Sequence, residues 1–202
     1  MPKCSQHSTA QHSTAHLAEP SRRHFFLTAR KFAFLIAITA LFFISPPSQI
    51  AADNSSAFNK GVEAVEAEDY HTAVSEFTKA IKIDPNSAGA YGGRGLAYRE
   101  LGDYNKAIAD CAKAIKIDPN NAFAYINRGV SYADLGDYNK AIADYTKAIK
   151  INPKYALAYY GRGFAYGRLR DYEKATKDAR KACELGDCRL FNKMKENNLL
   201  RD

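Results

Sequence analysis

The chain has 202 residues, 46% hydrophobic and 25% charged, a composition that excludes a wholly disordered protein and leaves room for one ordinary domain with additions. The formal charge is +7, but Lys3, Arg22, Arg23, Arg30 and Lys31 stand against Glu19 alone in residues 1–52, and beyond them 24 basic side chains face 21 acidic ones, a net of +3. That balance gives no electrostatic case for a nucleic-acid partner. His71 is the one histidine beyond residue 24, too few for a multi-histidine metal site, so neither metal nor cofactor is expected.

Residues 1–52 read as an address. Residues 32–44 carry no charge, follow Arg30 and Lys31, and precede a Pro-Pro pair and Ile50-Ala51-Ala52. The run falls short of the roughly 20 apolar residues of a spanning helix. A basic start, a short apolar core and small residues at the end fit a secretory signal peptide cleaved after Ala52. The alternative is an uncleaved signal anchor, with residues 32–44 as the membrane tether. Ser21–Leu27 resembles the twin-arginine export motif, although Phe26 and Leu27 depart from it and the second basic pair suits the general secretory route. Either route predicts export across the bacterial inner membrane to the periplasm, free or anchored.

From residue 53 onward the sequence repeats. Pro85, Pro119 and Pro153 are spaced by 34 residues, and Leu-Gly-Asp-Tyr-Asn-Lys-Ala-Ile-Ala-Asp occurs at 101–110 and again at 135–144. Gly61, Gly95, Gly129 and Gly163 share one phase; Tyr91, Tyr125 and Tyr159 share another; Ala73, Ala107, Ala141 and Ala175 a third. Each period holds two helical patterns. In the second, a first helix is predicted over about 88–101, ended by Gly102, which can take the left-handed conformation. Asp103 is expected to cap a second helix over 104–117, and Pro119 closes the unit because the residue before proline resists helical geometry. No such pair buries its apolar face alone, so stacking must supply the core.

The period, with Gly at the eighth position, Tyr at the eleventh, Ala at the twentieth and twenty-seventh and Pro at the thirty-second, resembles the tetratricopeptide-repeat (TPR) family. Four repeats are assigned: 54–87, 88–121, 122–155 and 156–189. Ala57 and Ala64 replace aromatics in the first, and Asp187 replaces proline in the last, as terminal repeats allow. The resemblance implies an all-α fold, a right-handed superhelical solenoid over 53–187. Residues 188–202, with Leu190, Phe191, Met194, Leu199 and Leu200, are expected to form a C-terminal capping helix.

The resemblance also implies that the first helix of each repeat lines a concave face. Its members here are mostly apolar: Phe58, Val62, Val65, Gly89, Gly92, Leu96, Phe123, Ile126, Val130, Leu157, Tyr160 and Phe164, with Ser55, Glu66, Arg99, Glu100, Ala133, Asp134, Gly167 and Arg168 at the remaining positions. Gly89 and Gly92 are expected to leave a gap between Phe58/Val62 and Phe123/Ile126 for a partner's apolar side chain. The TPR subset that grips acidic chaperone tails needs Lys and Asn where this chain has Gly92 and Leu96, or Ile126 and Val130. Only Asn127 falls at a matching position, and tail capture is therefore rejected. The groove could also be filled by the chain itself or by a second copy.

The remaining features are structural. Lys79, Lys113, Lys147 and Lys181 follow Glu76, Asp110, Asp144 and Asp178 by three residues, the spacing of surface ion pairs. Cys111 is expected in the core. Cys183 and Cys188 are candidates for a disulfide pinning the cap in an oxidising compartment. With His71 alone in the body no nucleophile–base pair is apparent, and a non-enzymatic chain is expected: an exported scaffold or adaptor holding a protein or peptide, or alternatively a self-associating subunit of an envelope complex.

Overall fold

The computed structural model describes residues 47–200. The predicted signal or anchor core at 32–44 lies outside them. Nine helices are described: α1 (Pro47–Glu66), α2 (Tyr70–Ile83), α3 (Ala88–Glu100), α4 (Tyr104–Ile117), α5 (Ala122–Asp134), α6 (Tyr138–Ile151), α7 (Ala156–Arg168), α8 (Tyr172–Glu184) and α9 (Arg189–Glu196). Each 34-residue period thus yields one A helix (α1, α3, α5, α7) and one B helix (α2, α4, α6, α8). Every helix packs on the next in sequence, and successive A helices also touch one another, whereas among the described residues no two B helices meet. The stack therefore curves with its A helices inside, the geometry of a TPR solenoid. None of the described helices is long and apolar enough to cross a membrane.

The boundaries follow from local chemistry. Asp84, Asp118 and Asn152, each before a proline, adopt extended backbone (φ −127°, −127° and −132°) and end the B helices. Their Oδ1 atoms accept from the backbone N–H two residues on, and Ser87 and Asn121 then cap α3 and α5. Between A and B helices the chain turns through a left-handed residue: Gly102 and Gly136 at φ 81°, but Glu68 at 58° and Arg170 at 64° in the outer repeats. Asp103 departs from expectation. It stands at the N-cap of α4 without a capping bond, its carboxylate taken by the Lys106 ammonium at 2.6 Å; Asp137 does the same with Lys140.

Within each repeat the A and B helices approach through small residues. A Cβ on Gly95 would stand 2.8 Å from Cys111 Sγ and 3.3 Å from the Ala107 carbonyl oxygen. The same two helices are tied by a recurring fork. Arg94 donates Nε and Nη2 to Asp110 at 2.6 and 2.8 Å, Arg128 to Asp144 at 2.7 and 2.7 Å, and Arg162 to Asp178 at 2.7 and 2.8 Å. The surface pairs expected for these aspartates are thereby corrected: a planar guanidinium on the neighbouring helix outcompetes a flexible ammonium one turn away. Lys79–Glu76 alone forms as expected, in the repeat whose A helix has Lys60 in place of the arginine, while Lys181 turns to Glu184.

Size complementarity governs the joints between repeats. The Phe77 ring fills the space between Gly61 and Gly93, where added Cβ atoms would lie 2.8 and 2.4 Å from it. Tyr145 fills the corresponding space between Gly129 and Gly161, at 3.0 and 2.5 Å. In the second repeat this B-helix position holds Cys111, fully buried, its thiol pushed up to about 12 by burial. The smaller side chain leaves room for Asn127 where the other joints have glycine.

The cap forms, but shorter than expected. It ends at Glu196; Asn198 turns the chain at φ 54°, and the Leu199 N–H bonds to the Met194 carbonyl at 2.9 Å. That reversal brings Leu199 and Leu200 back against Leu190 and Met194, which a continued helix would carry away. A Cβ on Gly163 would meet Leu190 Cδ2 at 2.9 Å, so the cap closes on the bare end of the fourth repeat. The sulfurs of Cys183 and Cys188 lie within bonding distance, linking the end of α8 to the start of α9.

Candidate functional site

The inner face is built by α1, α3, α5 and α7, and of the residues expected there Val130, Leu157, Tyr160 and Phe164 line one cleft. Val62, Phe123, Leu157 and Phe164 are 37%, 40%, 39% and 37% exposed, and they make up four of the six large apolar side chains that stand open to solvent among the described residues. Phe58, Val65, Leu96, Val130 and Tyr160 are half-buried between them, and Gly89 is exposed.

Two predicted groove residues are corrected. Ile126 is 2% exposed and belongs to the core between the third and fourth repeats; Gly92 is buried as well. The expected gap is absent for the same reason. The Phe123 ring lies on Gly92, 3.5 Å from where a Cβ would be, and the Phe58 ring lies on Gly89 at 3.1 Å. The glycines accommodate the chain's own aromatic rings.

The open part of the face lies further along, over repeats 2–4, as a cleft of about 460 Å³. Val130, Leu157 and Phe164 give it an apolar side; Arg99, Glu100 and Asp134, at inner-face positions of the same helices, give it charges, and so does Arg189, which the repeat pattern does not include. Arg99 Nη1 donates to Asn127 Oδ1 at 2.8 Å, and its other terminal nitrogen pairs with Glu100. Asn127 is 2% exposed and also donates to the Phe123 carbonyl at 3.0 Å. The one residue matching the chaperone-tail pattern is thus buried and engaged.

Arg189, the first residue of α9, reaches the cleft from the cap. Its Nε and Nη2 donate to Asp187 at 2.9 and 2.7 Å, and its guanidinium lies 4.5 Å from the Tyr160 ring centroid. This pairing holds the Asp187 carboxyl below the usual carboxylate range. Asp134 is shifted the other way: burial raises it, with Arg99 opposing and Glu100 adding to the rise. A second, more apolar hollow of about 280 Å³ continues between α7 and α9, lined by Phe164, Tyr172, Leu190, Met194 and Leu199 with Lys193 at its edge. No group of three or more acidic, His or Cys side chains among the described residues could hold a metal ion.

Comparison with known proteins agrees with this architecture. Tetratricopeptide-repeat family models match residues 55–87, 88–121, 111–143 and 156–185, and a TPR-repeat model matches 129–169. The TPR domain of Arabidopsis OM64 is 32% identical, with a TM-score of 0.56 over 61% of this chain and 98% of that one. A structure of the MamA protein is 30% identical at a TM-score of 0.59, over 70% and 81%. The first TPR of Spaghetti (RPAP3), bound to the HSP90 peptide SRMEEVD, is 29% identical at 0.54, over 57% and 93%. Comparison with curated proteins found no match. The helix-pair solenoid, the 34-residue register and these likenesses define a repeat scaffold, and the chain belongs to the tetratricopeptide-repeat family.

Proposed function

We propose that this protein is a non-catalytic scaffold that holds a polypeptide segment against the inner face of repeats 2–4. The observation that carries the reading is the concentration of exposed apolar side chains on that face, with Leu157 and Phe164 flanking an open cleft. Surface of this kind, rimmed by charge, is the ordinary signature of a recognition site. The Spaghetti (RPAP3) domain, in its complex with an HSP90 peptide, supplies a precedent for a peptide on a related scaffold. An acidic chaperone tail is not the proposed ligand here, because Asn127 is committed to Arg99 and Phe123.

The proposal includes export to the periplasm, supported by the basic and apolar pattern of residues 1–52. Helix α1 begins at Pro47, before the expected cleavage point, and removal through Ala52 leaves Asp53–Glu66, close to the 13 residues of the other A helices. The proposed Cys183–Cys188 bond suits such a compartment. Sequencing the N-terminus of the protein recovered from fractionated cells tests this part. A start at Asp53 in the soluble periplasmic fraction supports it; an intact N-terminus in membranes indicates the anchored form, and recovery from cytoplasm refutes export.

The binding reading is tested by capture from envelope extract with the wild-type chain and with Leu157→Glu/Phe164→Glu, whose exposed positions leave the fold intact by circular dichroism. A protein retained only by the wild type supports the inner face. Equal retention by both refutes it, and a concentration-dependent mass without any captured protein favours self-association.

A further inference from the structure

The cleft of repeats 2–4 contains two polar groups without a hydrogen-bond or ion-pair partner among the described residues. Tyr145 is 2% exposed, its ring held between Gly129 and Gly161, yet it lines the cleft. Its hydroxyl is not sealed from solvent and has no hydrogen-bond partner among the described residues, so it opens on the cleft and is available to an incoming group. Asp134 lines the same cleft and enters no hydrogen bond or ion pair with a described residue. The residue is exposed at the cleft wall; partial desolvation there raises its carboxyl above the usual range, with Arg99 opposing and Glu100 adding to the rise.

The cations of the cleft are differently placed. Arg99 is held by Asn127 and Glu100, and Arg189 is forked onto Asp187 and stacked on Tyr160. The arginines have their anions in direct contact, but Asp134 has no ion-pair partner among the described residues. An arriving carboxylate would meet guanidinium groups already neutralised and would face Asp134 and Glu100. An arriving ammonium or guanidinium would meet an exposed carboxylate without an ion-pair partner and a phenol oxygen able to accept, in a cleft that Tyr104 also lines.

We propose that this cleft takes a basic side chain, Arg or Lys, from the bound polypeptide, with its charged head on Asp134 and the Tyr145 hydroxyl and the segment's neighbouring apolar side chains on Val130, Leu157 and Phe164. The inference rests on reading the inner face as a polypeptide site and specifies what that site selects. It is particular to the third repeat: the position of Tyr145 is Phe77 in the first repeat, Cys111 in the second and Ala179 in the fourth, so no other joint offers a hydroxyl there.

The test is selection of displayed random dodecapeptides on the full-length chain, followed by calorimetry with the best synthetic peptide on wild type, Asp134→Asn and Tyr145→Phe. The expected pool is enriched in Arg or Lys next to apolar residues. Asp134→Asn should weaken the best peptide about tenfold, as for loss of a charged hydrogen bond, and Tyr145→Phe should weaken it about threefold. The same peptide with its basic residue changed to Gln should bind wild type and Asp134→Asn equally, a readout that general damage to the fold would not produce. Peptides that bind without any basic residue, or basic peptides indifferent to Asp134→Asn, overturn this inference and leave the groove standing. A library yielding no peptide sensitive to Leu157→Glu overturns both.

Discussion

Replacing Gly93 with alanine tests the joint between the first two repeats, because the same substitution should have the opposite sign at Gly167. Both glycines lie inside A helices, where alanine is favoured by about 1 kcal/mol. At Gly93 the new Cβ would stand 2.4 Å from Phe77 Cζ and 2.7 and 2.8 Å from its Cε atoms, when ordinary contact begins near 3.4 Å. The ring must retreat by about 1 Å, and Gly61 on its other side, also at 2.8 Å, gives it nowhere to go. Overpacking of this depth costs about 3 kcal/mol, which outweighs the helical gain and leaves a net loss of about 2 kcal/mol. At Gly167 the nearest neighbour is Ala175 Cβ at 4.0 Å, so only the gain remains. At roughly 3 °C per kcal/mol for a domain of this size, thermal unfolding followed by circular dichroism should show Gly93→Ala down by about 6 °C and Gly167→Ala up by about 3 °C. In a Phe77→Ala background, Gly93→Ala should become stabilising, since the obstructing ring is gone. A stabilised Gly93→Ala single variant, or no change of sign in that background, would refute the account of the joint.

Other expectations follow from the same geometry. Arg170→Gly relieves a left-handed non-glycine residue and should stabilise by about 1 kcal/mol, measured by urea titration; a loss would show that the arginine side chain outweighs the backbone. Asp144→Asn leaves the partly buried Arg128 without its carboxylate and should cost about 3 kcal/mol, whereas Asp137→Asn, which disturbs an exposed pair with Lys140, should cost under about 1 kcal/mol. Asp134 is held above its unfolded value, so its contribution to stability is present at acid pH and lost as pH rises through the folded value. Asp134→Asn should therefore raise the unfolding midpoint at pH 7 and leave it unchanged near pH 3. Cys188→Ser should loosen the cap by about 2 kcal/mol, from the short loop a bond to Cys183 would close, seen as faster amide exchange in α9.

The repeat register was legible because every joint solves the same packing problem, so the solution recurs every 34 residues in proline, glycine, alanine and tyrosine. The Arg94–Asp110 fork was also present in the sequence. It recurs as Arg128–Asp144 and Arg162–Asp178 at a separation of 16, and both partners change together in the first repeat, to Lys60 and Glu76. Attention to neighbours three residues apart concealed it, although an antiparallel helix pair brings positions on different helices closer than the next turn of one helix. The inner face was predicted by position, and position does not say where a ring points: Phe58 and Phe123 fold over the glycines that were expected to leave a gap. Arg189 entered the cleft unforeseen because the cap has no place in the repeat pattern.

The exchange of a ring for a thiol at Cys111 changes how the middle joint is closed. Buried apolar side chains form one cluster spanning the first two repeats, from Ala57 to Ala97, and another spanning the last two, from Ile126 to Ala158. Between them the joint is closed by Cys111, Asn127 and the Arg99–Asn127 hydrogen bond instead of an aromatic plug. Polar closures are directional and tolerate water, while a ring locked between two glycines does neither. Helix packing across this middle joint is as extensive as across its neighbours, so the stack keeps its register without the ring. What changes is the source of specificity: a hydrogen bond aligns Arg99 with Asn127 where the outer joints rely on the fit of a ring between two glycines.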